Sequence, residues 1–179
     1  IDLPKGAVCQ WATLGDKGRT LLVADSGNGQ VMLRDLDRPA EWTLLQVVPD
    51  VKFVASHPDG RWIAYSRWKQ GVWALDPRTN ISIELERSPA SFFAVFSPNG
   101  KWLVTGSPDK YHVWEVGSWA KPVHDLRGYH GIAGLVGPLA FSPDGTMLAV
   151  ARSSSVVDLV DATKGWEEIV TLTSPDPEI

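Results

Sequence analysis

A short turn-forming word recurs four times along the chain at almost even spacing. It reads Asp16-Lys17-Gly18, Pro58-Asp59-Gly60, Pro98-Asn99-Gly100 and Pro143-Asp144-Gly145, so its glycines fall 42, 40 and 45 residues apart. A repeat of that length is one supersecondary unit, too small to bury its own apolar face and obliged to stack on its neighbours. The 179 residues are therefore expected to fold as a row of four similar units.

The residues between the glycines are strand formers. In the second repeat Val51–His57 runs into the Pro58-Asp59-Gly60 turn and Arg61–Arg67 resumes after it. Trp68-Lys69-Gln70 breaks the pattern, Gly71–Asp76 restores it, and Pro77-Arg78-Thr79-Asn80 turns the chain into Ile81–Glu86. That last run alternates Ile81, Ile83 and Leu85 with Ser82, Glu84 and Glu86, as a half-exposed outer strand does. The same plan predicts Val8–Leu14, Thr20–Asp25, Gln30–Leu36 and Trp42–Val47 in the first repeat. It predicts Ser91–Ser97, Trp102–Ser107, Lys110–Val116 and Pro122–Leu126 in the third, and Pro138–Ser142, Met147–Arg152, Val156–Asp161 and Glu167–Leu172 in the fourth. No stretch of a dozen residues carries helical apolar spacing, and sixteen glycines and thirteen prolines interrupt the chain. The expected fold is all-β: four four-stranded antiparallel sheets, strands a to d in each, over approximately 8–47, 51–86, 91–126 and 138–172.

Turn chemistry explains the repeated word. Asp-Gly and Asn-Gly favour tight hairpins whose central residues take positive φ. A proline just before them ends strand a, because it has no amide to donate. Asp59, Asn99 and Asp144 are thus read as turn residues. His57 reads as a polar strand end, since Ser97 and Ser142 stand in its place in later repeats.

Two stretches, Phe96–Leu103 and Phe141–Ala149, resemble the a–b hairpin of WD-repeat β-propellers. Thr105-Gly106-Ser107 followed by His112-Val113-Trp114-Glu115-Val116 is similar to the b-to-c stretch that ends in their Trp-Asp pair. The resemblance spans essentially the whole chain and implies propeller blades. At the family's tryptophan position the repeats carry Arg34, Leu75, Trp114 and Val160; at the acidic position they carry Asp35, Asp76, Glu115 and Asp161. No Gly-His pair opens a repeat, Gly128-Tyr129-His130 being the nearest approach, so the family's Asp-His-Ser-Trp network is not expected in its usual form. The chain resembles the degenerate WD blades of bacterial multidomain proteins, where propellers follow kinase or other signalling modules. The Ser-Pro-Asp-Gly word also occurs in propellers of periplasmic translocation proteins and peptidases, which leaves the subtype open.

Four blades raise the question of closure, because a ring of this type takes about seven. Three arrangements are open: an arc of a larger ring, two copies pairing into an eight-bladed ring, or a closed four-bladed ring. The first residue is Ile1 rather than methionine, which reads as a piece of something longer. In the first two arrangements the terminal blades are expected to self-associate.

Composition narrows the function classes. A net charge of −4 offers no basic footprint for nucleic acid, and no apolar run is long enough for a membrane span. Cys9 stands alone, so neither an internal disulfide nor a cysteine metal site is expected, and a reducing, cytoplasmic setting fits. There is no Gly-x-Ser-x-Gly elbow and no phosphate-cradling loop, and a hairpin explains Gly27-Asn28-Gly29. His124, Asp125 and His130 lie around one turn but fall short of a full metal-ligand set. Glu84, Glu86, Glu167 and Glu168 fall on outer strands, where a solvated face is the default. Neither catalysis nor a cofactor is expected.

Binding is. Propeller faces are made of loops whose side chains the core does not need. The family plan puts the b–c and d–a loops on one face, carrying Trp68, Lys69 and Gln70, then Asp109 and Lys110, then Tyr129 and His130. Aromatic and polar residues together suit an interface centre; the alternative is that Trp68 folds back over its own hairpin. Trp119 and Trp166, on c–d connections at the opposite face, read as folded back, and Trp11, Trp42, Trp62, Trp73, Trp102 and Trp114 as core filler. The function expected is a non-catalytic protein–protein interaction scaffold with a protein or peptide partner. Two alternatives stand beside it: a regulatory or gating propeller attached to a bacterial kinase or hydrolase, and a small-ligand site in the central channel. Gln10, Ser56 and His57 are the polar a-strand candidates for the latter.

Overall fold

Each repeat closes into one sheet in the computed structural model, which describes residues 2–38, 41–87, 93–106, 110–128 and 138–175. Blade I holds β1 (Cys9–Gly15), β2 (Thr20–Asp25), β3 (Gln30–Asp35) and β4 (Trp42–Val47). Blade II holds β5 (Val51–Ser56), β6 (Ile63–Arg67), β7 (Gly71–Asp76) and β8 (Ile81–Glu86). Blade III holds β9 (Phe93–Phe96), β10 (Trp102–Gly106), β11 (Lys110–Glu115) and β12 (His124–Arg127). Blade IV holds β13 (Leu139–Phe141), β14 (Met147–Ser153), β15 (Val156–Asp161) and β16 (Glu167–Thr173). Every sheet pairs its strands in sequence order and antiparallel. Among the described residues there is no α-helix, only a 3-10 turn over Asp16–Gly18. Asp109, Tyr129 and His130, and the Ser91 and Ser107 strand ends, lie outside the described residues.

The repeated turn is not the hairpin expected from its Asp-Gly dipeptide. Gly60, Gly100 and Gly145 donate their amides three residues back, to the carbonyls of His57, Ser97 and Ser142. Only the glycines, at φ 74°, 72° and 71°, take the left-handed conformation; Asp59, Asn99 and Asp144 do not. Proline and Asp or Asn thus fill the middle of an ordinary turn, and glycine then reverses the chain, as in three-residue hairpin loops. The acidic or amide side chain accepts the amide two residues on: Arg61, Lys101 and Thr146, each at 3.0 Å. Blade I departs from this, with Asp16 and Lys17 themselves at positive φ.

Alternate residues of each b strand face opposite neighbours. Leu22 and Ala24 of β2 meet Ile63 and Tyr65 of β6 in one core, and Ala64 meets Leu103 in the next. Val104 meets Leu148 and Val150 in a third. Each fully buried Leu, Ile or Val side chain among these contributes about 1.5–3 kcal/mol. Adjacent a strands lie against one another, β1 by β5 and β5 by β9, so they line the inner wall of an arc.

The turns lock one blade to the next, always in the same direction. The Lys17 amide donates to the Pro58 carbonyl at 3.0 Å. His57, expected as a polar strand end, is instead 1% exposed, its Nε2 2.8 Å from the Gly100 carbonyl and its Nδ1 on Asp59. The Asn99 amide donates to the Gly145 carbonyl at 3.2 Å. On the same seams Trp119 and Trp166 do fold inward, but against the preceding blade: Trp119 meets Trp62 edge-on at 5.1 Å, and Trp166 meets Trp102 at 5.3 Å.

The far side of blade I is covered by the segment before β1. The Asp2 carbonyl accepts from the Trp42 indole on β4 at 3.0 Å, and the Val8 amide donates to Asp25 at 2.7 Å. Residues 2–8 therefore cross the sheet, and Val23, Met32 and Arg34 beneath are buried.

Candidate binding face

The b–c hairpin of blade II carries three of the expected residues. A three-residue loop joins the paired Arg67 and Gly71, with Lys69 at φ 56° and Gly71 at φ 120°. The Trp68 amide donates to Asp50, and the side chain does not fold away, being 47% exposed. Two ammonium groups approach its ring: Lys52 of β5 at 5.5 Å and Lys69 at 5.9 Å from the centroid. Cations over an indole face are held by the ring's negative charge distribution, and here they make an exposed aromatic with a positive surround. Gln70 completes the loop, its amide on the Arg67 carbonyl.

Lys110 opens β11 at the corresponding end of blade III but is drawn into a network. Its ammonium lies 2.8 Å from Asp125, which also meets His112 Nδ1 at 2.6 Å. Burial of the Asp125 carboxyl, which alone would raise its pKa, is outweighed by Lys110 and His112, and it sits below the ordinary carboxylate range. His112 Nε2 lies 3.7 Å from Glu86 of blade II, whose other oxygen accepts the Thr105 hydroxyl at 3.1 Å. Thr105 in turn accepts the Trp114 indole N–H at 3.1 Å. Glu86, expected to be solvated, thus substitutes for the missing own-blade histidine and ties Trp114, buried at 3%, to the neighbouring blade.

A feature absent from the expected site lies at the same end of the blades as Trp68. Trp11, expected in the core, is 43% exposed on the inner wall. It packs on Phe53 at 4.8 Å, and Phe53 on Phe93 at 4.9 Å, making an aromatic ladder across the a strands of three blades. The three residues are register equivalents, paired with Ala24, Ser66 and Gly106, whose small side chains leave them room. Each pairing sits next to the b–c turn, so the ladder and Trp68 share one end of the arc. A cleft of about 250 Å³ runs from there along the a strands, lined by Trp11, Thr13, Phe53, Ser56 and Phe93. The signal was present in the repeat: Trp11, Phe53, Phe93 and Pro138 each stand seven residues before a repeat glycine.

The polar channel candidates divide. Ser56 lines the cleft but donates to the His57 carbonyl, His57 is locked between blades, and Gln10 is exposed. Of the other tryptophans expected in the core, Trp42, Trp62, Trp73 and Trp102 are only partly buried. Asp25 explains Gly27-Asn28-Gly29, accepting the Gly27 and Asn28 amides across that hairpin. Among the described residues no three His, Cys, Asp or Glu side chains are grouped to hold a metal ion. None of the described helical turns is long and apolar enough to cross a membrane.

The WD domain, G-beta repeat family matches residues 88–114. Kuenenia stuttgartiensis hydrazine synthase is similar in structure over 97% of this chain and 51% of its own, at TM-score 0.73 and 17% identity. A chain of the mitotic checkpoint complex is similar over 97% of this chain and 55% of its own, at TM-score 0.73 and 18% identity. No curated protein matches the sequence. The chain spans about half the length of both structural neighbours; its four antiparallel sheets are WD40-like β-propeller blades.

Proposed function

We propose that this WD40-like propeller arc is a non-catalytic scaffold that binds an extended segment of a partner protein at the b–c end of blades I to III. The observation that carries the reading is the aromatic ladder, exposed at Trp11, at the same end of the blades as the exposed Trp68 and its two lysines. The cleft has the size and lining to take an apolar or aromatic side chain, and Lys52 and Lys69 would pair with an acidic residue next to it. The mitotic checkpoint neighbour, itself part of a protein complex, agrees with such a role. The groups that would attract a catalytic reading are engaged in holding blades together: His57 between turns, and His112 with Asp125 and Glu86.

Selection of a displayed random peptide library on the purified chain tests this. Recovered peptides should place an acidic residue beside an apolar one, and Trp11→Ala and Trp68→Ala should each weaken binding at least about tenfold, ~1.4 kcal/mol. Peptides that bind both variants as tightly as the wild type would sink the proposal.

A further inference from the structure

The seam between blades III and IV is built unlike the one before it. Thr105 and Trp114 of blade III face blade II, where the indole N–H meets the Thr105 hydroxyl and Glu86 closes the gap. Val150 and Val160 hold the equivalent places in blade IV. Thr105 and Val150 each stand five residues after a repeat glycine, and Trp114 and Val160 pair with Leu103 and Leu148. Two valines fill less space than an indole and a hydroxyl, and a cavity of about 170 Å³ opens beside both, walled by β12, β14, β15 and β16. Leu126 and Trp166 complete its apolar part. That volume lies below the ~300–1,000 Å³ of sites for drug-sized molecules, so the site suits a small occupant.

The polar part of the cavity is charged and incompletely paired. Arg152 Nε is buried and has no hydrogen-bond partner among the described residues; Asp158, its ion-pair partner, is 3.6 Å away, beyond hydrogen-bonding distance. Asp158 and Glu168 both lean on the Thr171 hydroxyl, at 2.7 and 2.8 Å, and its one hydrogen serves one of them at a time. Arg127 also lines the cavity, as do His124 and Asp125, the latter already matched by Lys110 and His112. Two guanidinium groups thus meet two carboxylates, and neither a simple anion nor a simple cation suits that balance. What is missing is an acceptor for Arg152 Nε and a donor for the Asp158–Glu168 pair. A molecule that brings both charges close together, on an apolar body, supplies the two at once.

We infer that the seam of blades III and IV binds a free α-amino acid with a small aliphatic side chain. Its carboxylate accepts from Arg152, its ammonium donates to Asp158 and Glu168, and its side chain lies on Val150, Val160 and Trp166. A free amino acid carries the two charges on one carbon, whereas a chain terminus carries only one of them and an internal peptide unit neither. The site is apart from the aromatic ladder of blades I to III and does not depend on what that ladder binds.

Calorimetric titration of the purified chain with L-valine tests this. A dissociation constant of about 1 mM or lower is expected. L-valinamide, which lacks the carboxylate, and N-acetyl-L-valine, which lacks the ammonium, should each bind at least about tenfold more weakly. Arg152→Gln should weaken L-valine binding at least about tenfold. Val160→Trp puts the indole of blade III into the cavity without touching a charge and should abolish binding. Circular dichroism checks both variants for intact sheets, and the two analogues make the same test on the wild type. No binding of L-alanine, L-valine or L-leucine at about 10 mM, an analogue that binds as tightly as L-valine, or undiminished binding by either folded variant would each overturn the inference. Failure of peptide binding at the ladder leaves this result standing.

Discussion

Blade I meets solvent through a segment that crosses its outer side, whereas among the described residues nothing lies over the outer side of blade IV. Val23 and Met32 at the first end are 1% and 3% exposed, while Val170 and Leu172 at the other are 39% and 52%. The two sheets have the same topology, although the inner strand is longer in blade I, seven residues in β1 against three in β13. What distinguishes their outer sides is the segment 2–8, anchored at Trp42 on the outside and at Asp25 near the inner wall. A propeller sheet is thus apolar on both sides by construction, and its behaviour at an end is decided by what lies over it.

Three substitutions sharpen this contrast. Met32→Ala, beneath the crossing segment, should cost about 2–5 kcal/mol in denaturant unfolding, because it empties a filled site. A cost near zero would mean that the segment does not bury that side. Asp25→Ala should cost about 1–3 kcal/mol, since it leaves the Val8, Gly27 and Asn28 amides without their acceptor. The wild type carries a pH signature of this anchor. Burial alone would raise the Asp25 pKa, but donation from Val8, Asn28 and Gly27 outweighs it and holds the group below its ordinary 3.8. A depressed carboxylate stabilises the fold fully above pH 3.8 and loses that contribution as pH falls through its folded value. Melting temperature followed from pH 6 to about 2 should therefore fall less steeply in Asp25→Ala than in wild type. Leu172→Ser, at the other end, should change the stability of the isolated monomer by no more than about 0.5 kcal/mol. A loss as large as that of Met32→Ala would show that blade IV is covered after all.

Much of the fold was legible because it is local. The glycine spacing locates four units, and the alternation in Ile81–Glu86 identifies an outer strand without reference to anything distant. Parts that depend on contacts between repeats were not. His57 looks like its equivalents Ser97 and Ser142 along the chain, and only the Gly100 carbonyl, 43 residues on, reveals its role. Glu86 fits an exposed alternating strand until Thr105 and His112 of the next blade approach it. The crossing of blade I by residues 2–8 has no periodic pattern to announce it. The binding face was half readable: Trp68 and Lys69 stand out in a polar break, but Lys52 joins them only across β5 and β6. Trp11 was read as core because its run is apolar, although apolar a-strand residues also line the axis of a propeller arc.

The interblade locks have a further consequence. Because each turn gives to the turn after it, and the giver is a backbone amide, an imidazole or a carboxamide in succession, the blades are not interchangeable bricks. Shuffling two of them would keep every sheet intact yet set the wrong key before each keyhole. The order in which the blades stand is written at their corners, outside the strands that define them.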